Sequence, residues 1–126
     1  MRVVIESIPH KEQRYDTCGD YYQESDYGYD TLSIKVSELT DRREMLLVAI
    51  HELIEWALCQ AKGVSIQAID HFDIDGDHHG CAEPGDCSEA PYYTQHQIAT
   101  GIERILAAEM GVDWTTYEKH IQELER

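Results

Sequence analysis

The run from Met45 to Ala61 constrains the fold more than any other stretch, because it is apolar almost throughout yet carries His51, Glu52 and Glu55 near its middle. Apolar residues from Leu46 and Leu47 through Leu53, Ile54, Ala57 and Leu58 surround nearly its whole circumference, which predicts a helix covered on most sides. At about 100° per residue, His51 and Glu55 share one face about 40° apart, and Glu52 points about 100° to the side. Buried without partners, three such groups would be strongly destabilising. A metal ion is the leading compensation. The competing arrangement is a polar network in which Tyr hydroxyls and Arg side chains from the loops satisfy the trio with no ion.

The segments around this helix have recognisable limits. Arg2 to Ile8 is rich in β-branched residues and predicts a strand that Pro9 stops. His10 to Tyr29 is polar and Tyr-rich, with a short strand expected near Tyr21. Thr31 to Ser37 alternates apolar and polar residues, the pattern of a strand with one buried face. Asp41 caps the central helix, with Glu44 at capping-box spacing, and Gly63 follows its last residue, Lys62. Ser65 caps a short helix through Ile69, and Asp70 to Glu89 is a long loop rich in Asp, Gly, His and Cys. Pro91 opens a helix to Met110, stopped by Gly111, with Ile98, Ala99, Ile102, Leu106 and Met110 as its expected core stripe. His96, Thr100, Glu103 and Ala107 border that stripe. Asp113 caps a last helix through Leu124 that packs by Trp114, Tyr117, Ile121 and Leu124.

At 126 residues the chain is expected to form one α+β domain, residues 1–126: a small, mostly antiparallel sheet packed on the buried central helix and two C-terminal helices. A formal charge of −15 disfavours nucleic acid and anionic membranes as partners and favours divalent cations. The opening residues are too poor in apolar side chains for a signal peptide and no apolar run reaches 18 residues, so a cytoplasmic location is expected. In that setting Cys18, Cys59, Cys81 and Cys87 read as thiols or ligands rather than as a disulfide framework, with only Cys81 and Cys87 placed as a local pair.

A helical His-Glu-x-x-His sets two imidazoles on a zinc ion with the Glu beside them as a base. His51-Glu52-Leu53-Ile54-Glu55 resembles this zincin metallopeptidase helix in a variant His-Glu-x-x-Glu form, and the strand at Thr31 to Ser37 before it resembles the zincin order. The resemblance spans Thr31 to Lys62. It implies a zincin-like fold and a metal-dependent hydrolase, of peptidase type, in which an ion-activated water attacks an amide. Glu52 is then the general base and His51 a ligand. Glu55 takes the second ligand position; a carboxylate there shifts preference from zinc toward manganese or iron. Zinc requires a third ligand, and His96 on the later helix is the choice. Glu103, about 20° away two turns on, is a fourth ligand or the acceptor that fixes an imidazole tautomer. The set Cys59, Lys62-Gly63-Val64-Ser65, Ala90-Pro91-Tyr92, His96, Glu103 and Gly111-Val112-Asp113-Trp114 is also similar to uncharacterised phage-type proteins, a likeness that implies no activity.

Two further classes compete. In the non-catalytic one the same residues hold a structural ion or a polar network, and the acidic surface binds a protein partner. The other starts from Glu52-x-x-Glu55, the spacing of magnesium-dependent nucleotide pyrophosphohydrolases; it lacks their second acidic pair, since Leu106 follows Glu103 at that spacing. In the long loop, Asp73-Ile74-Asp75-Gly76-Asp77 opens like a calcium loop, but His78 and Pro84 stand where Gly and Glu are needed. His78, His79, Cys81 and Cys87 form a weak soft-metal set. Folded over His51, the loop would be a lid that excludes water.

Overall fold

The structure, a computed structural model, describes residues 1–26, 29–76, 80–81 and 83–124. Among the described residues three strands and four α-helices follow in the order β1 (Arg2–Ile8), β2 (Gly19–Asp26), β3 (Tyr29–Ser37), α1 (Arg42–Lys62), α2 (Ile66–Asp70), α3 (Tyr93–Glu109) and α4 (Trp114–Leu124). A π-helical turn, His71–Asp75, and a 3-10 turn, Pro84–Asp86, organise part of the connection between α2 and α3. The class is α+β, as expected. The helix ends are where local chemistry places them: Asp41 accepts from the Arg43 backbone N–H, Ser65 from that of Ala68 and Asp113 from that of Thr116. Gly63 ends α1 at φ 72°, a left-handed conformation that favours glycine.

The sheet departs from expectation. Its order is β1-β3-β2, with β3 antiparallel to β2 and parallel to β1, so it is mixed rather than mostly antiparallel. The cause lies in residues 9–18. They carry the chain past the central position at one end of the sheet, β2 runs back, and β3 then fills the gap beside β1. Being central, β3 is buried on both faces: Leu32, Ile34 and Val36 enter the core, and Thr31, Ser33 and Ser37 are covered as well. Ser37 Oγ accepts from Gln13 Nε2 and donates to the Thr17 carbonyl, which seals that end with the crossing segment.

Helix α1 lies across the sheet, burying Leu47, Val48, Ala49 and Cys59 together with Glu44, His51 and Glu55. Leu46, expected inside, is 46% exposed. Helix α3 is turned relative to its expected stripe. Ala99, Glu103 and Ala107 are its buried residues, whereas Ile98 and Ile102 are 46% and 37% exposed. Small side chains at 99 and 107 let α3 come close to α1, and the polar face turns inward because it finds partners there. Leu106 and Met110 still pack at the core margin, as do Trp114 and Ile121 of α4 around the fully buried Tyr117. His120 donates to the Glu44 carboxylate, joining α4 to the start of α1, and Arg14 bridges Asp20 of β2 to Asp70 of α2.

Within the long connection, Asp73 is buried and both its carboxylate oxygens accept from tyrosines, Tyr15 and Tyr92. That use replaces the calcium-loop reading at its first position; Asp77, His78 and His79 lie outside the described residues. Cys81 and Cys87 are joined in a disulfide, contrary to the expectation of thiols, which removes both from the soft-metal set. Cys18 and Cys59 are free.

Burial lifts the Asp73 carboxyl to about 6, against the pull of its two tyrosine hydrogen bonds. A carboxyl raised in the folded state contributes stability that is full below about pH 4 and is lost as pH rises through about 6. Urea midpoints measured from pH 3.5 to 8 should therefore show Asp73→Asn gaining on the parent across that window, by up to about 3 kcal/mol, and running parallel above it. A constant difference at every pH would disprove the assignment.

Candidate metal centre

His51 and Glu55 leave α1 one turn apart and face His96, which leaves the first turns of α3. The ring planes of His51 and His96 meet edge to face, with centroids 4.7 Å apart. His51 Nε2 lies 3.2 Å from Glu55 Oε2 and 3.2 Å from His96 Nδ1, and His96 Nδ1 lies 2.8 Å from the same Glu55 oxygen. Three metal-competent atoms thus converge on one point. Two ligands about 2.0–2.1 Å from a tetrahedral ion sit roughly 3.4 Å apart, so the triangle needs only a small expansion to admit one.

Each member is backed by a partner on its far side. His51 Nδ1 donates to Glu103 Oε1 at 2.7 Å, and Glu103 Oε2 accepts from Tyr117 at 2.6 Å. His96 Nε2 donates to Asp86 Oδ1 at 3.2 Å, and Tyr21 donates to Glu55 Oε1 at 2.9 Å. Of the two roles expected for Glu103, the geometry places it behind His51, as the acceptor that fixes the tautomer and leaves Nε2 facing the convergence point. Glu103 is not among the three converging groups.

Two glycines make the packing possible. A Cβ on Gly19 would come within 2.7 Å of Val48 Cγ1 and 2.8 Å of Glu52 Oε1; one on Gly85 would come within 2.5 Å of His96 Nδ1. The start of β2 and the 3-10 turn therefore lie directly against the site, the turn through Gly85 and Asp86 against His96. Tyr21, Tyr117, Asp86, Gly19 and Gly85 were not identified as site residues in the sequence. The one signal that pointed to such partners was the need of the buried trio for Tyr hydroxyls; in place of the arginines expected with them, His51 and Glu55 find Tyr21, His96 and Glu103.

No family model, curated protein or solved structure matches the chain.

The site's electrostatics follow from carboxylates packed around two imidazoles. Burial opposes charge on His51, but hydrogen bonds to Glu103 and Glu55 outweigh it and hold the ring well above its ordinary range. His96 follows the same balance: burial pulls it down, and Asp86 and Glu55 raise it to about 9. Glu55, despite its burial, is held below the usual carboxylate range by the two imidazoles. Glu52 differs. Burial, reinforced by the charge of Glu55, lifts its carboxyl well above the usual range, and no hydrogen bond from a described residue reaches it.

Glu52 lines two spaces. One, of 30 Å³, is polar and runs beneath Glu55 toward Asp73; it is large enough for an ordered water. The other, of 170 Å³, opens beside His51 and His96 and is walled by Val48, Cys18, Trp114, Tyr117 and Ile121, with Glu83, Asp86 and Glu118 also on its lining.

The Tyr117 hydroxyl sits in the fully buried core and answers a buried carboxylate. Tyr117→Phe should lower unfolding free energy by about 1–3 kcal/mol in urea titrations, because Glu103 loses a charge-assisted donor. A loss below about 0.5 kcal/mol would mean that the hydroxyl does not matter to Glu103.

Proposed function

We propose that the protein is a metal-dependent hydrolase of zincin-like type, with a peptide or other amide as substrate. His51, Glu55 and His96 hold a divalent ion, zinc first among the candidates. The observation that carries the reading is the convergence of His51 Nε2, Glu55 Oε2 and His96 Nδ1, with Glu103 and Asp86 orienting the two imidazoles. Three protein ligands, rather than four, are the pattern of catalytic sites. The bound ion would supply Lewis acidity, lowering the pKa of a water and polarising a carbonyl.

The chain's own residues supply the rest. Glu52, which shares the lining of the cavity with His51 and His96 and takes no hydrogen bond from a described residue, would take a proton from the attacking water and return it to the leaving amine. Its carboxyl is raised by burial and by the charge of Glu55; a divalent ion nearby would favour its ionised form. Trp114, Tyr117 and Ile121 offer an apolar wall on which a substrate side chain can rest.

A second reading has one observation in its favour: His51 Nδ1 and His96 Nε2 each already have a carboxylate acceptor, and Glu55 Oε2 faces the other two ring nitrogens. The cluster would then be a polar network, or a structural ion site, in a protein that binds a partner through its acidic surface. Metal analysis of purified protein separates the two. The hydrolase reading expects about one transition-metal ion per chain, lost in His51→Ala. It further expects Glu52→Gln to keep the ion while hydrolysis of a fluorogenic peptide panel falls about 10²–10⁴-fold. A protein with no stoichiometric metal, whose stability His51→Ala leaves unchanged, would overturn it.

Proton competition provides an independent check. With His96 titrating at about 9 in the ion-free site, a proton must leave before Nδ1 can ligate. His51 is held up as well and must also give up a proton, so apparent zinc affinity should rise by up to about 100-fold per pH unit from pH 6 through about pH 9, and calorimetry in buffers of different ionisation enthalpy should register proton release. Affinity independent of pH over that range would contradict ligation by these imidazoles.

A further inference from the structure

The Cys81–Cys87 disulfide closes a short loop whose contents face the metal centre. Inside it lie Gly85, whose backbone sits so close to His96 that a Cβ has no room, and Asp86, whose Oδ1 accepts from His96 Nε2. The turn is drawn tight by backbone hydrogen bonds from Asp86 N–H to the Glu83 carbonyl and from Cys87 N–H to the Pro84 carbonyl. On its far side Cys87 leads directly into α3: its carbonyl accepts from the Ala90 N–H, and the Ala90 carbonyl accepts from the Tyr93 N–H. His96 is thus held between a helix that carries it and a covalently closed loop that presses on one face and fixes its far nitrogen.

We propose that Cys81 and Cys87 are a redox modification site that sets the affinity of the His51, Glu55 and His96 centre for its ion, on the reading of that centre given above. With the disulfide formed, Gly85 and Asp86 hold the His96 ring with Nδ1 toward Glu55 and His51. With it broken, the loop loses its covalent closure, and the contacts that orient the ring are left to the turn's own hydrogen bonds. Outer partners of this kind are worth about 10–100-fold in metal affinity.

The modifying agent is a dithiol. One donor thiolate attacks the sulfur of Cys81, the half-buried member of the pair, and the S–S bond breaks to leave a mixed disulfide and the Cys87 thiolate. The second donor thiolate then attacks the donor sulfur of that mixed disulfide and releases the Cys81 thiolate. Two electrons pass to the protein, each cysteine takes up a proton, and the donor leaves as a disulfide. The remaining thiols stand apart from this exchange: Cys59 is buried in the core, and Cys18 lies at the wall of the larger cavity.

Zinc titration of the full chain against a chromophoric chelator tests the proposal, using oxidised protein, protein reduced with a phosphine, and the Cys81→Ser/Cys87→Ser double variant. Reduced protein and double variant should bind zinc about 10–100-fold more weakly than oxidised protein, and the phosphine should change nothing further in the double variant. Asp86→Ala, which keeps the disulfide, should weaken zinc binding by itself and shrink the effect of reduction, so the result does not hang on the folding of the serine variant. Equal affinity in oxidised and reduced protein would overturn the redox proposal and leave the metal reading standing. Oxidised protein that binds no zinc would overturn both.

Discussion

His51 is buried between two carboxylates on different helices, and that placement dictates what can pack near it. An imidazole and two carboxyl groups brought out of water need fixed partners at fixed distances, so α1 and α3 have one workable rotation toward each other. The rotation places alanines at the contact and the larger isoleucines outside. Hydrophobic burial supplies the general attraction between the helices, and the polar groups determine which faces meet.

The same requirement runs outward through the structure. Tyr117 must be inside to answer Glu103, which fixes how α4 lies; Tyr21 must be inside to answer Glu55, which fixes the register of β2 against α1. Gly19 and Gly85 let backbone reach places where any side chain would collide. No helix among the described residues is long and apolar enough to cross a membrane.

Much of this was legible in the sequence, and the reasons differ by feature. The ends of α1, α2 and α4 follow from Asp41, Gly63, Ser65 and Asp113, whose effects act within a turn or so of chain. His51, Glu55 and His96 stood out because ionisable groups in apolar surroundings are costly. The facing of α3 was not legible, since periodicity counts isoleucine as inside and cannot know that Glu103 will find His51 and Tyr117. Strand order was not legible either, because it depends on where residues 9–18 cross. The disulfide was half visible: spacing marked Cys81 and Cys87 as a pair, while the expected compartment argued against joining them.

The mixed sheet bears on how the molecule comes together. Strands β2 and β3 are neighbours in sequence and pair antiparallel, so their contact closes a short loop, whereas β1 must wait for a partner that emerges two strands later. Both outer strands hang on β3 alone, so a change that displaced β3 would cost the sheet every one of its pairings at once, whereas loss of β1 would leave the β2–β3 hairpin intact.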